Sequence, residues 1–465
     1  TNNRAVDNAL DPLCTGLGIE RLPLALRVGS QEVTASVAVQ TLQTARAWLA
    51  AQAEVPSRGA LSKARQALRG AHAALKSRVQ ALGPKSESHP DIEDAAHRLF
   101  ELACETRELW ASAQRGLLIP ALDTAIEVLA EQRSLRRLCE RYKEEGQWIL
   151  QLFPVLGSTL LSLGNVCEAE PNTIDRLLID EAGQCHPAYA VSGLMRCRQA
   201  LLIGDVHQLP PVVQLSEIDE ARVRAEAGLT LNEEAARAFM VHERSLVSAQ
   251  SLADRAARER PRLVDHFRCQ PEIIEVCDRL CGYELTVQTP PRNLSQISPQ
   301  LYAARLLAPV AGVQTPARGS WINTAEVEAL GQILGRLLED GLPPEQVAVL
   351  TPYAAQLHRL NSHFLQLGLP IEGTTEPAGE EGRIATGTVH RFQGGERSVV
   401  LLSTVVTDPK KLAFIDSQVN LLNVAISRAK EHLVVIADEA CLRAGRRTRL
   451  LVEGATPWRG PSQSS

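Results

Sequence analysis

The sequence predicts an α/β protein with two parallel-sheet domains, the first carrying an α-helical insert. Three observations carry that expectation. Short apolar runs at 177–179, 200–203, 347–350, 399–402 and 433–436 read as buried parallel strands, and the first two lead into charged or Gly-containing loops. Helical stretches such as 325–338 and 420–430 fall among the later strands, and that alternation implies a parallel sheet. The block 41–149 is instead rich in Ala, Leu, Arg and Glu. The expected layout is residues 1–40 with 150–250 as one domain, 41–149 as the insert, 255–445 as a second domain, and 446–465 as a loose tail.

Within the insert, Leu99, Leu102, Ala103, Thr106, Leu109 and Trp110 follow helical spacing. Gly83-Pro84 and His89-Pro90 break the pattern, and Asp91 with Asp94 are candidate caps for a new helix. A hairpin or small bundle is expected. It serves either as a solvated stalk or as a lever that touches nucleic acid or a protein partner.

Composition excludes several classes. Asp plus Glu is 54 against 49 Lys plus Arg, a net charge of -5, so bulk polycation binding to nucleic acid is excluded and only a local basic groove remains. No run of about 18 apolar residues offers a membrane span. The 10 cysteines include no CxxC pair. Cys269, Cys277 and Cys281 lie near one another, but reduced buried thiols of a cytoplasmic protein explain them better than a metal.

The chemistry begins at Asp180-Glu181-Ala182-Gly183-Gln184, where an apolar run delivers two adjacent carboxylates into a loop. In a nucleotide hydrolase the first holds Mg²⁺ and the second orients or deprotonates the attacking water. Taken alone, a helix N-cap explains Asp180 equally well. A second run ends in Gly204-Asp205-Val206-His207-Gln208-Leu209-Pro210-Pro211, where an amide can report a γ-phosphate and the proline pair stiffens the loop. Arg268 lies in His266-Phe267-Arg268, and Arg428 lies on the expected helix Asn423-Val424-Ala425-Ile426-Ser427-Arg428-Ala429-Lys430. Between them stands Thr388-Val389-His390-Arg391-Phe392-Gln393-Gly394-Gly395-Glu396. Phosphoryl transfer needs positive charge on the developing transition state, which such arginines supply.

In this order the motifs resemble those of superfamily 1 helicases, in the branch of the nonsense-mediated-decay helicase and the Dna2-type replication helicases. The segment 1–8 resembles motif Ia, 180–184 motif II, 204–211 motif III, 350–356 motif IV, 388–396 motif V and 423–430 motif VI. His266-Phe267-Arg268 stands where the family commonly has Gln-Tyr-Arg, and Asn323 and Glu326 fit a pattern ahead of motif IV. The resemblance implies two RecA-like domains, the first truncated at its N-terminus, and ATP with Mg²⁺ as cofactors. It implies Asp180 on Mg²⁺, Glu181 as base, Gln208 as γ-phosphate sensor, and Arg268 and Arg428 on the transferring phosphate. Gln184, Gly394 and Glu396 would contact the nucleotide. Thr1, Asn2, Asn3, Thr159, Pro352, Tyr353, Thr388 and His390 would contact single-stranded DNA or RNA, mostly at phosphate and sugar.

One departure is large. None of the 7 lysines follows a glycine, so G-x-x-x-x-G-K-[ST] is missing. In the family that loop precedes motif Ia, so a fragment of an active helicase is expected, inactive by itself. The competing expectation is a non-hydrolysing nucleic-acid clamp. Leu421-Leu422, where relatives often carry Arg, is a smaller departure. The branch implies 5′→3′ travel.

Overall fold

Odd and even residues along three central strands go to opposite faces of one sheet. Val347, Val349, Val399, Leu401, Val434 and Ile436 pack into one core, and Ala348, Leu350, Val400, Leu402, Leu433 and Val435 into another. Strands buried on both faces must be apolar throughout, which is why these runs read so plainly. The computed structural model describes residues 21–29, 32–52, 54–82, 89–131, 133–211, 216–228, 248–257, 261–290, 298–372, 382–392 and 395–459. The chain divides into two compact units, 1–181 with 187–202, and 182–186 with 203–465.

In the first unit β1 (Ala25–Arg27) pairs in parallel with β2 (Val155–Gly157), although six helices lie between them in the chain. These are α1 (Glu32–Ala51), α2 (Arg58–Leu82), α3 (Pro90–Ala113), α4 (Arg115–Ala130), α5 (Leu135–Arg141) and α6 (Lys143–Leu152). Ala38, Leu42, Ala45 and Leu49 of α1 are buried at heptad-like spacing, so the helix begins before residue 41. They meet Leu118, Leu122, Leu138, Ile149 and Phe153 in one core, with Trp110 and Trp148 stacked at 6.2 Å. By contrast α2 buries none of its residues. Helix α3 starts with Pro90 in its first turn and follows His89, which makes no side-chain cap. Asp91 acts there as a first-turn acid favourable to the helix dipole, and Asp94 lies within the helix, so neither is the cap expected from sequence. Arg107 anchors the base of α3, with Nη1 donating to the carbonyls of Pro23 (2.9 Å) and Leu152 (2.7 Å). A second parallel pair joins β3 (Ile174–Ile179) and β4 (Cys197–Leu202), separated by α7 (Pro187–Leu194). Its residues are less buried than expected, with Leu178 64% and Leu201 55% exposed.

In the second unit a helix at Glu217–Glu226 is followed by α8 (Ala249–Ala256), β5 (Asp265–His266), α9 (Pro271–Cys281) and β6 (Thr286–Val287). Its sheet has six parallel strands in the order β11-β10-β12-β13-β7-β14. They are β7 (Arg305–Pro309), β10 (Val347–Thr351), β11 (Ala385–Thr388), β12 (Arg397–Ser403), β13 (Ala429–Ala437) and β14 (Thr456–Pro457), and β8 (Thr315–Ala317) and β9 (Ser320–Ile322) form a small hairpin outside it. Helices α10 (Thr324–Glu339), α11 (Ala354–Gln366), α12 (Val419–Ser427), α13 (Glu439–Ala444) and α14 (Arg449–Val452) connect the strands. Two expectations are corrected here. The loose tail does not start at 446, because α14 buries Leu450, Leu451 and Val452 and β14 adds a sixth strand. The helix expected over 420–430 stops at Ser427, and Lys430 already belongs to β13.

Candidate nucleotide site and nucleic-acid edge

In the first unit Asp180 and Glu181 follow the carboxyl end of β3, where parallel sheets place their chemistry. Asp180 is exposed, and its Oδ1 accepts the Glu181 N–H at 2.8 Å. Glu181 has φ +53°, a left-handed conformation that costs a non-glycine residue energy and recurs at functional sites. The pair offers hard oxygen ligands of the kind Mg²⁺ prefers. Thr159 precedes a short 3₁₀ turn and donates from Oγ1 to Ser162 Oγ at 3.0 Å.

In the second unit the turn carrying Gln184 (Ala182–Gln184) lies backbone to backbone on the 203–205 loop. The Ala182 N–H donates to the Ile203 carbonyl at 2.8 Å. A Cβ on Gly204 would stand 2.5 Å from the Gly183 nitrogen, and a Cβ on Gly183 would strike the Asp205 carbonyl. Only glycine permits that approach. The loop is then gripped from α12. Asn423 Nδ2 donates to the His207 carbonyl at 3.0 Å and to Tyr283 Oη at 2.6 Å. Asn420 Nδ2 donates to the carbonyls of Val206 (3.2 Å) and Gln208. The Tyr283 hydroxyl donates to Asp205 Oδ2 at 2.6 Å, and Asp205 Oδ1 accepts the His207 N–H at 2.8 Å. Burial, followed by the Asp205 charge, pushes the Tyr283 hydroxyl far above its usual range and keeps it a donor. Gln208 is thus fixed by its backbone, with its side chain half-buried.

The same helix ends at the cations. Arg428 follows the last residue of α12 rather than lying within it, and is 4% exposed. Its Nε donates to the Val424 carbonyl (3.2 Å) and its Nη1 to the Gly395 carbonyl (3.1 Å). Glu396 pairs with Arg268 at 2.8 Å and with Lys430. Burial alone would raise the Glu396 carboxyl. The Lys430 hydrogen bond and the charges of Arg268, Lys430 and Arg428 overcome that effect and hold it below its usual range. Beside them His266 Nε2 accepts the Cys269 N–H at 2.8 Å, and burial with the nearby Arg268 charge lowers its pKa, so the ring is neutral at pH 7. Burial pushes the Cys269 thiol up to about 11. Cys277 is buried too, and no metal-binding group of residues occurs among those described.

Pro352, Tyr353, Thr388 and His390 come together after β10 and β11, whose ends pair Thr351 with Thr388. Pro352 and Thr388 are half-buried and His390 is exposed. Tyr353 is only 6% exposed, with its ring 5.4 Å from Phe414, so it braces this edge rather than offering a stacking platform. Beneath the edge is a buried polar network. The Glu326 carboxylate accepts the Val405 N–H on both oxygens (3.0 Å each), the Ser403 hydroxyl (2.6 Å) and Asn323 Nδ2 (3.2 Å). Gln356 Nε2 joins Ser403 Oγ to the Asn323 carbonyl, tying α10 and α11 to the end of β12. Burial pushes Glu326 up to about 8 despite these donors. Thr1, Asn2, Asn3 and Gly394 lie outside the described residues.

Two family models, each described as an AAA domain, match residues 1–216 and 244–440. Among curated proteins the chain is similar to mouse "5'-3' DNA helicase ZGRF1", 25% identical over 279 residues, covering 58% of this chain and 13% of that protein. It is similar to mouse "DNA replication ATP-dependent helicase/nuclease DNA2", 22% identical over 324 residues, 62% of this chain and 27% of that protein. It is also similar to "Regulator of nonsense transcripts 1" of Dictyostelium discoideum, 26% identical over 280 residues, 57% of this chain and 18% of that protein. The chain belongs to the superfamily 1 helicases. It spans less than a third of the length of these three relatives. In this family member, Lys430, Tyr283, Asn420 and Asn423 drew no role from the sequence. A signal existed for the two asparagines: Asn420, Asn423 and Ser427 form a polar stripe at i, i+3 and i+7 along an otherwise apolar helix. Lys430 and Tyr283 gave none, since tertiary contact alone brings them to Glu396 and Asp205.

Among the described residues, no helix is long and apolar enough to cross a membrane.

Proposed function

We propose that this helicase hydrolyses ATP with Mg²⁺ and uses the cycle to move 5′→3′ along single-stranded DNA or RNA. The donor set fits the cofactors: hard carboxylates at Asp180 and Glu181, and Arg268, Arg428 and Lys430 gathered around Glu396. Bound Mg·ATP supplies the γ-phosphoryl group and a cation to neutralise its oxygens. Asp180 takes the metal, Glu181 orients and accepts a proton from the attacking water, and Gln208 registers the γ-phosphate. Arg268 and Arg428 stabilise charge on the transferring group, and Gln184, Gly394 and Glu396 contact the nucleotide. Thr1, Asn2, Asn3, Thr159, Pro352, Thr388 and His390 hold the nucleic-acid strand by phosphate and sugar, with Tyr353 bracing the loop beneath. A protein partner at the helical insert is part of the proposal.

The observation that carries it is the double grip of α12: its asparagines hold the backbone beside Gln208, and its end places Arg428 against the Gly395 carbonyl. A sensor loop held by one helix, with a phosphate-stabilising arginine at that helix's end, is an arrangement that can couple nucleotide state to loop position. A second reading, a non-hydrolysing clamp, rests on the missing Gly-Lys step in these 465 residues. The two separate in an ATPase assay on the full-length product of the gene. The motor predicts hydrolysis stimulated by single-stranded DNA or RNA and reduced at least a hundredfold by Glu181→Gln. Retained nucleic-acid binding without hydrolysis in the wild type would leave the clamp.

A further inference from the structure

Four arginines, none of them in the Glu396 cluster, line one cavity of the second unit. The cavity, about 320 Å³, is walled by Arg279 and Leu280 at the end of α9, by Arg446 and Arg447 after α13, and by Arg449 and Leu450 of α14. One carboxylate answers them directly: Glu453 pairs with Arg279 at 3.0 Å and with Arg449 at 3.7 Å. Asp416 shapes the loop from below, its carboxylate accepting the N–H groups of Arg446 (3.2 Å), Arg447 (2.7 Å) and Thr448 (2.9 Å). Among the described residues no carboxylate lies within ion-pair distance of the Arg446 or Arg447 guanidinium. Behind the wall Arg305, 7% exposed, gives Nη2 to the carbonyls of Leu450 (2.8 Å) and Glu453 (2.9 Å), while its buried Nε has no partner.

Like charges gathered in a concave, partly apolar wall repel one another, and an anion relieves that repulsion. The guanidinium fork matches the oxygens of phosphate and carboxylate. Arg279 and Arg449 give part of their forks to Glu453, and Arg447 Nη1 donates to the Asp416 backbone carbonyl (3.1 Å), so the donors that remain are spread along the wall, which suits consecutive phosphodiesters better than one compact anion. The chain as a whole carries -5, so the attraction is local to this wall. We propose that this cavity binds successive phosphates of a nucleic-acid strand, as an anchor separate from the edge at Pro352, Thr388 and His390. The proposal rests on the reading that the protein acts on nucleic acid.

The test is fluorescence anisotropy of labelled single-stranded dT and U oligonucleotides with the full-length protein at several salt concentrations, comparing wild type with Arg446→Ala/Arg449→Ala. The expected result is about tenfold weaker binding and a salt-dependence slope smaller by about one to two, one per lost phosphate contact. An unchanged affinity and slope in the variant, with Thr388→Ala/His390→Ala still weakened, overturns the anchor and leaves the helicase reading intact. No strand binding by the wild type overturns both. Inorganic phosphate is the second arm: if it raises the melting temperature of the wild type but not of the variant, while oligonucleotide binding is equal in both, the cavity is a small-phosphate site and the strand proposal fails. Should the double variant melt early in phosphate-free buffer, the single change Arg446→Gln at an exposed position gives the same comparison, with a slope smaller by about one.

Discussion

Glu326 is the residue whose environment departs furthest from its ordinary chemistry while remaining testable. A carboxyl with a folded pKa near 8 keeps its proton where an unfolded one has lost it. Between the ordinary carboxyl range and about 8 the folded state therefore binds more protons than the unfolded state, and stability falls as pH rises through that window. The melting temperature of the second unit is expected to drop by several degrees from pH 5 to pH 8. Glu326→Gln should flatten that slope, because an amide keeps the shape and still accepts the Val405 N–H. An unchanged slope in the variant would show that other groups carry it. Glu396 behaves oppositely: its depressed pKa adds stability above the ordinary carboxyl range, lost only as pH falls through the lower folded value. The network also holds Val405 at φ +71°, a strained conformation for a β-branched residue, at the carboxyl end of β12. Asn323 and Glu326 were legible in the sequence as a pattern. Their burial was not, since nothing local says that Glu326 will accept the N–H of distant Val405 on both oxygens while Asn323 donates to its carbonyl.

At the scale of elements, the contact between the 182–184 turn and the 203–205 loop is the tightest backbone approach near the site. Gly204→Ala should destabilise by about 1–3 kcal/mol, since the new Cβ meets backbone that cannot yield. Gly335→Ala on α10, where a Cβ meets open space, should instead be neutral or stabilising by up to about 1 kcal/mol. Urea unfolding of both variants measures the contrast, and equal effects would contradict the packing account. The sequence showed the strands of the second sheet well because burial on both faces leaves no polar position to blur them. It misjudged the end of α12, because Arg428, Ala429 and Lys430 carry no breaker and the turn into β13 is imposed by the sheet. It misjudged the tail for the converse reason: Gly454, Pro457 and Ser462 look loose, yet Thr456–Pro457 finds a strand edge on β7.

For the whole molecule, the order of motifs along the chain was legible, and it led to the helicase family before any geometry. Which side chains share a site was legible only where the motif itself joined them. Asp180 with Glu181, and Thr388 with His390, were so joined. The pairing of Arg268 with Glu396 spans more than a hundred residues, and it needed the fold, as did the pairing of Glu396 with Lys430. Taken together, the proposed residue roles amount to directional, ATP-driven separation of strands. It is tested most directly by unwinding assays of the full-length protein on duplexes carrying either a 5′ or a 3′ single-stranded overhang, with ATP or a non-hydrolysable analogue. The expected result is separation of the 5′-overhang substrate with ATP only. Binding to both substrates with separation of neither would contradict it.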